Sequence, residues 1–213
     1  MIRAFIFDLD GVITDTAEYH FRAWKRLAED EDLIFTRQDN EALRGVSRRD
    51  SLLLLLKGNI YPEGQLQEMM ERKNSYYLEF IQDINPNDIL PGAIELLQEL
   101  RSNGYQIALG SASKNARDVL QRLGIEEFFD QISDGYSVEY QKPAPDLFLH
   151  AASQLKLSPR VCVVVEDATS GIEAAVAGGF RTIGIGPLER VGIADFVLPD
   201  LSGVRLKDIL SSL

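Results

Sequence analysis

The sequence predicts an α/β protein, a parallel sheet covered by helices on both faces, with a helical bundle inserted after the first strand. Three observations lead there. Short β-branched apolar runs recur along the chain, stretches of helical period lie between them, and about seventy residues after the first run show helical patterns alone. At 213 residues the chain suits one full domain with a modest insert. A composition 45% hydrophobic and 26% charged is that of a folded chain and not a disordered one.

In chain order, the run at 2–7 reads as a buried strand ending at Asp8. Residues 15–85 then carry only helical spacing: Ala17, His20, Phe21, Trp24 and Leu27 on one face, a second stretch at 51–57 and a third at 65–81. This insert is expected to form a cap (15–85) joined to a core (1–14 and 86–213) by two crossings. Thr14, Asp15 and Thr16 form one expected hinge and the polar stretch 83–88, with Pro86, the other. Beyond it, Pro91 opens a helix with Ile94, Leu97 and Leu100 on one face and Gly104 at its end. Strands follow at 105–109, weakly at 131–133, at 161–165, at 182–185 and weakly at 196–198. Helices are expected at 115–123, from Asp146 (Leu147, Phe148, Ala151, Ala152, Leu155), at 171–177 and from Leu206. Alternation at these lengths implies right-handed crossovers and a parallel sheet.

Charge and composition exclude several function classes. Lys and Arg number 22 against 33 Asp and Glu, so 22 − 33 gives −11, which repels a nucleic-acid backbone. The longest strictly apolar runs are about five residues, too short for a membrane span, and the stretch before Asp8 is too short for a signal peptide. Cys162 is the single cysteine and lies within Val-Cys-Val-Val-Val, so it reads as a small buried hydrophobe. A cytoplasmic monomer is expected, with neither a nucleic-acid nor a membrane partner.

Ligands in an open parallel sheet bind at the carboxyl ends of the strands. Those ends carry Asp8-Leu9-Asp10-Gly11, Ser111-Ala112-Ser113-Lys114-Asn115 and Glu166-Asp167, and the loop after the weak third strand leads to Lys142-Pro143. Carboxylates gathered in one place repel unless a cation sits among them, and hard oxygen donors select Mg²⁺. In such a setting Asp8 can act as a nucleophile that carries a phosphoryl group, with Lys142 neutralising charge and Asp10 as general acid and base.

These residues resemble the four motifs of the haloacid dehalogenase superfamily of phosphotransferases, across the whole chain. Within it, the stretches Thr14-Asp15-Thr16 through Lys25, Gly45-Val46-Ser47-Arg48, Arg72-Lys73-Asn74 and 111–115 resemble the beta-phosphoglucomutase family. The resemblance implies a Rossmann-like core, a closing helical cap, and conversion of beta-glucose 1-phosphate to glucose 6-phosphate through a bisphosphate. It implies Mg²⁺ held by Asp8, Glu166, Asp167 and the Asp10 backbone carbonyl, and a transferring phosphate held by Ser111, Ala112 and Lys142. The distal phosphate and sugar fall to Arg48, Ser113, Lys114, Asn115, His20, Lys73, Trp24 and Gly45. The segments 29–40, 58–64 and 134–141 depart from the family's pattern, the last with two bulky tyrosines.

The cap residues also have plainer readings. Ser47-Arg48-Arg49-Asp50 reads as a capping box that puts Arg48 at a helix's positive end, where an anion would explain it and so would pairing with an acid. Ser113 could cap a helix, cradle phosphate or do both. Lys73 falls on the stripe that should be apolar, so it either snorkels to water or meets a partner in a cleft. His20 reads as a packed core histidine, whereas the resemblance implies that it pairs with Lys73 and couples substrate binding to cap closure and to Asp10. Two rival functions remain: a phosphatase on the same scaffold, and a catalytically silent sugar-phosphate binding module.

Overall fold

The computed structural model describes residues 1–43 and 46–213. Strands β1 (Ala4–Phe7), β2 (Gln106–Gly110), β3 (Gln131–Ser133), β4 (Cys162–Glu166), β5 (Arg181–Ile185) and β6 (Phe196–Leu198) form one sheet in the order β3-β2-β1-β4-β5-β6. Every neighbouring pair is parallel. The chain winds outward from β1 in both directions, so the crevice beside β1 is the point where strand order reverses. Phe7 lies opposite Leu109 on one side and Val165 on the other. That register brings Asp8, Ser111 and Glu166 to one edge.

The period-2 alternation of the strands sorts the core into two layers. Phe5, Phe7, Ile107, Leu109, Val163 and Val165 pack into one cluster with α5 (Ala93–Ser102), α6 (Ala116–Leu123) and α10 (Leu206–Ser212). Ala4, Ile6, Ala108, Cys162 and Val164 face α7 (Asp146–Gln154) and α8 (Thr169–Ala177) on the other side. A short α9 (Leu188–Val191) follows β5.

Between β1 and the 3₁₀ turns that lead to α5, the described chain forms four α-helices: α1 (Ala17–Asp30), α2 (Arg37–Glu41), α3 (Arg48–Leu55) and α4 (Glu63–Phe80). They have their own apolar centre of Trp24, Leu27, Phe35, Leu52, Leu55 and Met69. The far end of α4 joins the main core, because Tyr77 and Ile81 pack with Leu9, Val12 and Ile13. The two connections run side by side. Thr14 bridges Ile89 in antiparallel fashion, the Leu90 N–H donates to the Ile13 carbonyl at 2.9 Å, and the Thr14 hydroxyl donates to the Asp88 carbonyl at 2.8 Å.

Several boundaries differ from expectation. The helix expected to open at Pro91 begins at Ala93, because Gly92 sits in the left-handed region (φ 84°) and a side chain there would overlap the Leu201 carbonyl. The stretch expected at 51–57 runs from Arg48 to Leu55, with Ser47 as its N-cap accepting from the Asp50 N–H. Asp50 completes the cap through the Ser47 hydroxyl at 2.6 Å. The segment 83–88 contains 3₁₀ turns, one of them Pro86–Asp88 capped by Asn85. Among the described residues, no helix is long and apolar enough to cross a membrane.

Candidate active site

At the sheet edge three carboxylates converge. Ligand atoms of Asp8, Glu166 and Asp167 all lie within 4.8 Å of one another, and all three residues are buried. Asp8 follows directly on β1, Glu166 ends β4, and Asp167 begins the loop into α8, so the strand register sets their spacing. Two glycines allow the close approach. A methyl group at Gly11, itself at φ 77°, would overlap the Asp167 carboxylate, and one at Gly171 would overlap that of Glu166.

Lys142 reaches this cluster from the loop after β3. Its Nζ donates to Asp8 Oδ1 and Glu166 Oε2, both at 2.7 Å, with its side chain fully buried. Burial by itself would lower the Lys142 pKa, but the two carboxylates more than reverse that and raise it. Glu166 is fixed by two further donors, the N–H groups of Asp167 and Ala168, each 3.0 Å from Oε1. Arg190, from α9, lies 3.6 Å from Asp167.

Asp10 stands beside the cluster and accepts a hydrogen bond from the Thr16 hydroxyl. Burial first, and the neighbouring Asp8 carboxylate second, push Asp10 up to about 7. Burial and Asp8 likewise push Glu166 up to about 8, although Lys142 pulls the other way.

A cleft opens above these groups, with about 800 Å³ of space continuous with solvent. Its floor carries Asp8, Asp10, Ser111, Ala112 and Asp167, and its core-side wall Ser113 and Lys114; the cap supplies His20, Trp24, Arg48 and Lys73. Lys73 is 2% exposed and does not snorkel; its Nζ pairs with His20 Nδ1 at 2.8 Å and lies 4.8 Å from the Trp24 ring centroid. Burial, reinforced by Lys73 and Arg48, holds His20 well below its ordinary pKa, and burial likewise holds Lys73 well below its own. His20 also stacks on Tyr77 at 4.2 Å between centroids.

The two adjacent arginines of α3 part company. Arg49 forms an exposed pair with Glu63 at 2.5 Å, whereas Arg48 turns inward and donates to Asn74 Oδ1 at 2.8 Å. Basic side chains thus line two ends of one cleft: Lys142 beneath Asp8, and Arg48, Lys73 and Lys114 toward the cap.

A protein-family model described as haloacid dehalogenase-like hydrolase matches residues 2–179. The chain belongs to the haloacid dehalogenase-like family. The chain is 43% identical over 210 residues to a beta-phosphoglucomutase of Bacillus subtilis, covering 97% of this chain and 93% of that one. The crystal structure of a beta-phosphoglucomutase from Clostridium difficile superposes with a TM-score of 0.97 at 41% identity, covering 100% and 97% of the two chains. A phosphorylated carbohydrates phosphatase of Thermotoga maritima is 30% identical, over 85% of this chain and 84% of its own.

Within this haloacid dehalogenase-like frame, most sequence-derived positions meet at the cleft. Lys142 and Glu166 lie beneath its floor. Asn115 faces Asn74 of the cap, with its Nδ2 2.9 Å from Asn74 Oδ1. Gly45 lies outside the described residues. Thr14 and Thr16 are buried at the crossing, where Thr16 reaches Asp10. Asn40, Leu43, Val46 and Ser51 also line the cleft. Sequence reasoning missed all four as site positions, although Val46 lies in the stretch Gly45-Val46-Ser47-Arg48 that resembles the family. Asn40 follows the Thr36–Asp39 capping box of α2, a signal that would have placed that helix but not its orientation. Of the two loop tyrosines, Tyr136 lies at the rim, with Lys114 Nζ 4.9 Å from its ring centroid.

The carboxylate cluster fits a divalent cation. Its donors are hard oxygens, they stand close enough to share one ion, and Asp8 adds to burial in raising the pKa of Glu166, as close like charges do.

Proposed function

We propose that the chain interconverts beta-glucose 1-phosphate and glucose 6-phosphate by way of a phosphorylated Asp8 and a glucose bisphosphate. One observation carries this reading beyond the fold. The cleft has Asp8, the proposed nucleophile, with the buried Lys142 at one end and a separate set of basic groups, Arg48, Lys73 and Lys114, at the other. A substrate with phosphates at both ends needs both sets. The near full-length similarity to beta-phosphoglucomutases supports the same reading.

In this mechanism phospho-Asp8 presents its phosphoryl group to a sugar hydroxyl. Asp10 accepts the hydroxyl proton as the new P–O bond forms and the Asp8–phosphorus bond breaks. The bisphosphate then turns end for end, and an Asp8 carboxylate oxygen attacks the other phosphorus. As that phosphorus–sugar oxygen bond breaks, Asp10 returns the proton to the leaving oxygen. Ser111, the Ala112 backbone and Lys142 hold the transferring group; Arg48, Ser113, Lys114 and Asn115 hold the distal phosphate, with Gly45 and Trp24 beside the sugar. The Lys73–His20 pair couples sugar binding to cap position and to Asp10.

Mg²⁺ would be held by Asp8, Glu166, Asp167 and the Asp10 backbone carbonyl, where it offsets charge on the phosphoryl oxygens. Residues 15–85 act as a cap hinged at 14–16 and 83–88, whose closure keeps water from phospho-Asp8. The protein works as a monomer in the cytoplasm.

The competing reading is a sugar-phosphate phosphatase, the activity named for the Thermotoga relative. Incubation with each glucose 1-phosphate anomer, Mg²⁺ and a bisphosphate primer separates the two. Glucose 6-phosphate from the beta anomer supports the mutase, and inorganic phosphate as main product overturns it.

A further inference from the structure

Asn74 is a cap residue whose amide oxygen is claimed from both sides of the cleft. From the cap, Arg48 Nη2 donates to Asn74 Oδ1 at 2.8 Å; from the core, Asn115 Nδ2 donates to the same oxygen at 2.9 Å. Arg48 is the first residue of α3, Asn74 lies in α4, and Asn115 is the N-cap of α6, just beyond the loop that follows β2. Both partners are donors, so the oxygen must be the atom facing them, and both of its lone pairs are used.

This atom therefore ties together two groups that the mutase reading assigns to one distal phosphate, one on the cap and one on the core. We propose that Asn74 is a positioning residue, a neutral latch whose amide oxygen holds Arg48 and Asn115 in the geometry that receives the distal phosphate and fastens the closed cap. The inference rests on the mutase reading and adds a residue that touches neither the transferring group nor the nucleophile.

Neutrality is the informative feature. An amide oxygen orients the guanidinium through one hydrogen bond and leaves its charge for an anionic ligand. A carboxylate at the same place would satisfy Arg48 by itself and compete with phosphate, since charge-assisted bonds are roughly twice as strong. The structure thus orders two substitutions of nearly equal size: aspartate should impair substrate binding more than alanine does.

The test uses the full chain with Mg²⁺ as wild type, Asn74→Ala and Asn74→Asp. Three quantities are measured: KM and kcat for beta-glucose 1-phosphate, phosphate released per isomerisation, and the rate of Asp8 labelling by acetyl phosphate, which has no distal phosphate. For Asn74→Ala, KM should rise about tenfold, as expected for loss of an orienting hydrogen bond. Phosphate release per turnover should also rise, and labelling should stay within about twofold. KM for Asn74→Asp should exceed that of the alanine variant. The latch is overturned if the alanine variant keeps the wild-type KM, if aspartate binds substrate better than alanine, or if labelling falls in step with turnover. A wild type that labels but does not isomerise sinks the mutase reading instead, a result distinct from all of these.

Discussion

Replacing Lys142 with Met tests how the buried charges at the sheet edge are balanced. The substitution keeps most of the side-chain volume beside Phe148, whose ring centroid lies 4.7 Å from Nζ, so the change is one of charge more than of packing. What disappears is an ammonium held at 2.7 Å by two carboxylates, with its side chain inaccessible to water. Removing one partner from a buried ion pair costs about 3–5 kcal/mol. At about 2–4 °C per kcal/mol for a chain of this length, Tm should fall by about 6–20 °C in metal-free buffer.

The pH dependence sharpens the test. Glu166 is pushed up from 4.5 to about 8 in the folded state, by burial first and by Asp8 next. A carboxyl with a raised folded pKa binds more protons folded than unfolded. Stability is therefore full below about 4.5 and falls as pH rises through about 8. In Lys142→Met the repulsion between Asp8 and Glu166 loses its shield. The deficit should be smallest at low pH, where Glu166 holds a proton, and should grow toward pH 8. Added Mg²⁺ should recover part of it. Thermal unfolding followed by circular dichroism across pH, with and without MgCl₂, reads all three effects. A variant that melts within about 2 °C of wild type at pH 8 without metal, or a deficit that ignores pH, would refute the charge balance argued here.

Two further outcomes follow from the same geometry. Asp8→Asn should abolish isomerisation and covalent labelling by acetyl phosphate, yet still fold, since the amide keeps the carboxylate's shape; mass spectrometry showing the variant still phosphorylated at another residue, with turnover kept, would remove Asp8 as nucleophile. Gly11→Ala should displace Asp167, because the added methyl overlaps its carboxylate and the backbone there has φ 77°. Calorimetric Mg²⁺ affinity should drop by about tenfold or more, and an unchanged affinity would show that Asp167 is not among the ligands.

The sheet was legible because its central strands are short buried runs, and β1, β2 and β4 lead straight into polar residues that stand out. The motif residues Asp8, Ser111 and Glu166 could be placed together because parallel register brings strand ends to one edge. The short helices α2 and α9 escaped, since at five and four residues neither spans enough turns to show a period. Lys73 was visible as an oddity on an apolar stripe, but its neighbours could not choose between water and a partner. Only the docking of α1 against α4, which brings in His20 at 2.8 Å, decides it. Asn40, Ser51 and the link from Asn74 to Asn115 depend on how the cap sits over the core. Contacts 41 residues apart, like that link, leave no local signature in the chain.

That division has a chemical consequence. Asp8, Lys142, Glu166 and Asp167 are fixed by strand ends, glycine contacts and buried ion pairs, so the transfer end of the cleft exists whatever the cap does. The opposite end is composite: Ser113 and Lys114 come from the core, but Arg48, Lys73 and His20 arrive only with helices α1, α3 and α4. In the proposed mechanism a phosphate at the far end draws the cap down, so its binding energy is available to exclude water before the phosphoryl group moves. A ligand without that phosphate reaches the same nucleophile with the cap unfastened, and water then competes as acceptor. On this argument the choice between mutase and phosphatase chemistry lies in the cap-borne cations, and only secondarily in the carboxylates both activities share.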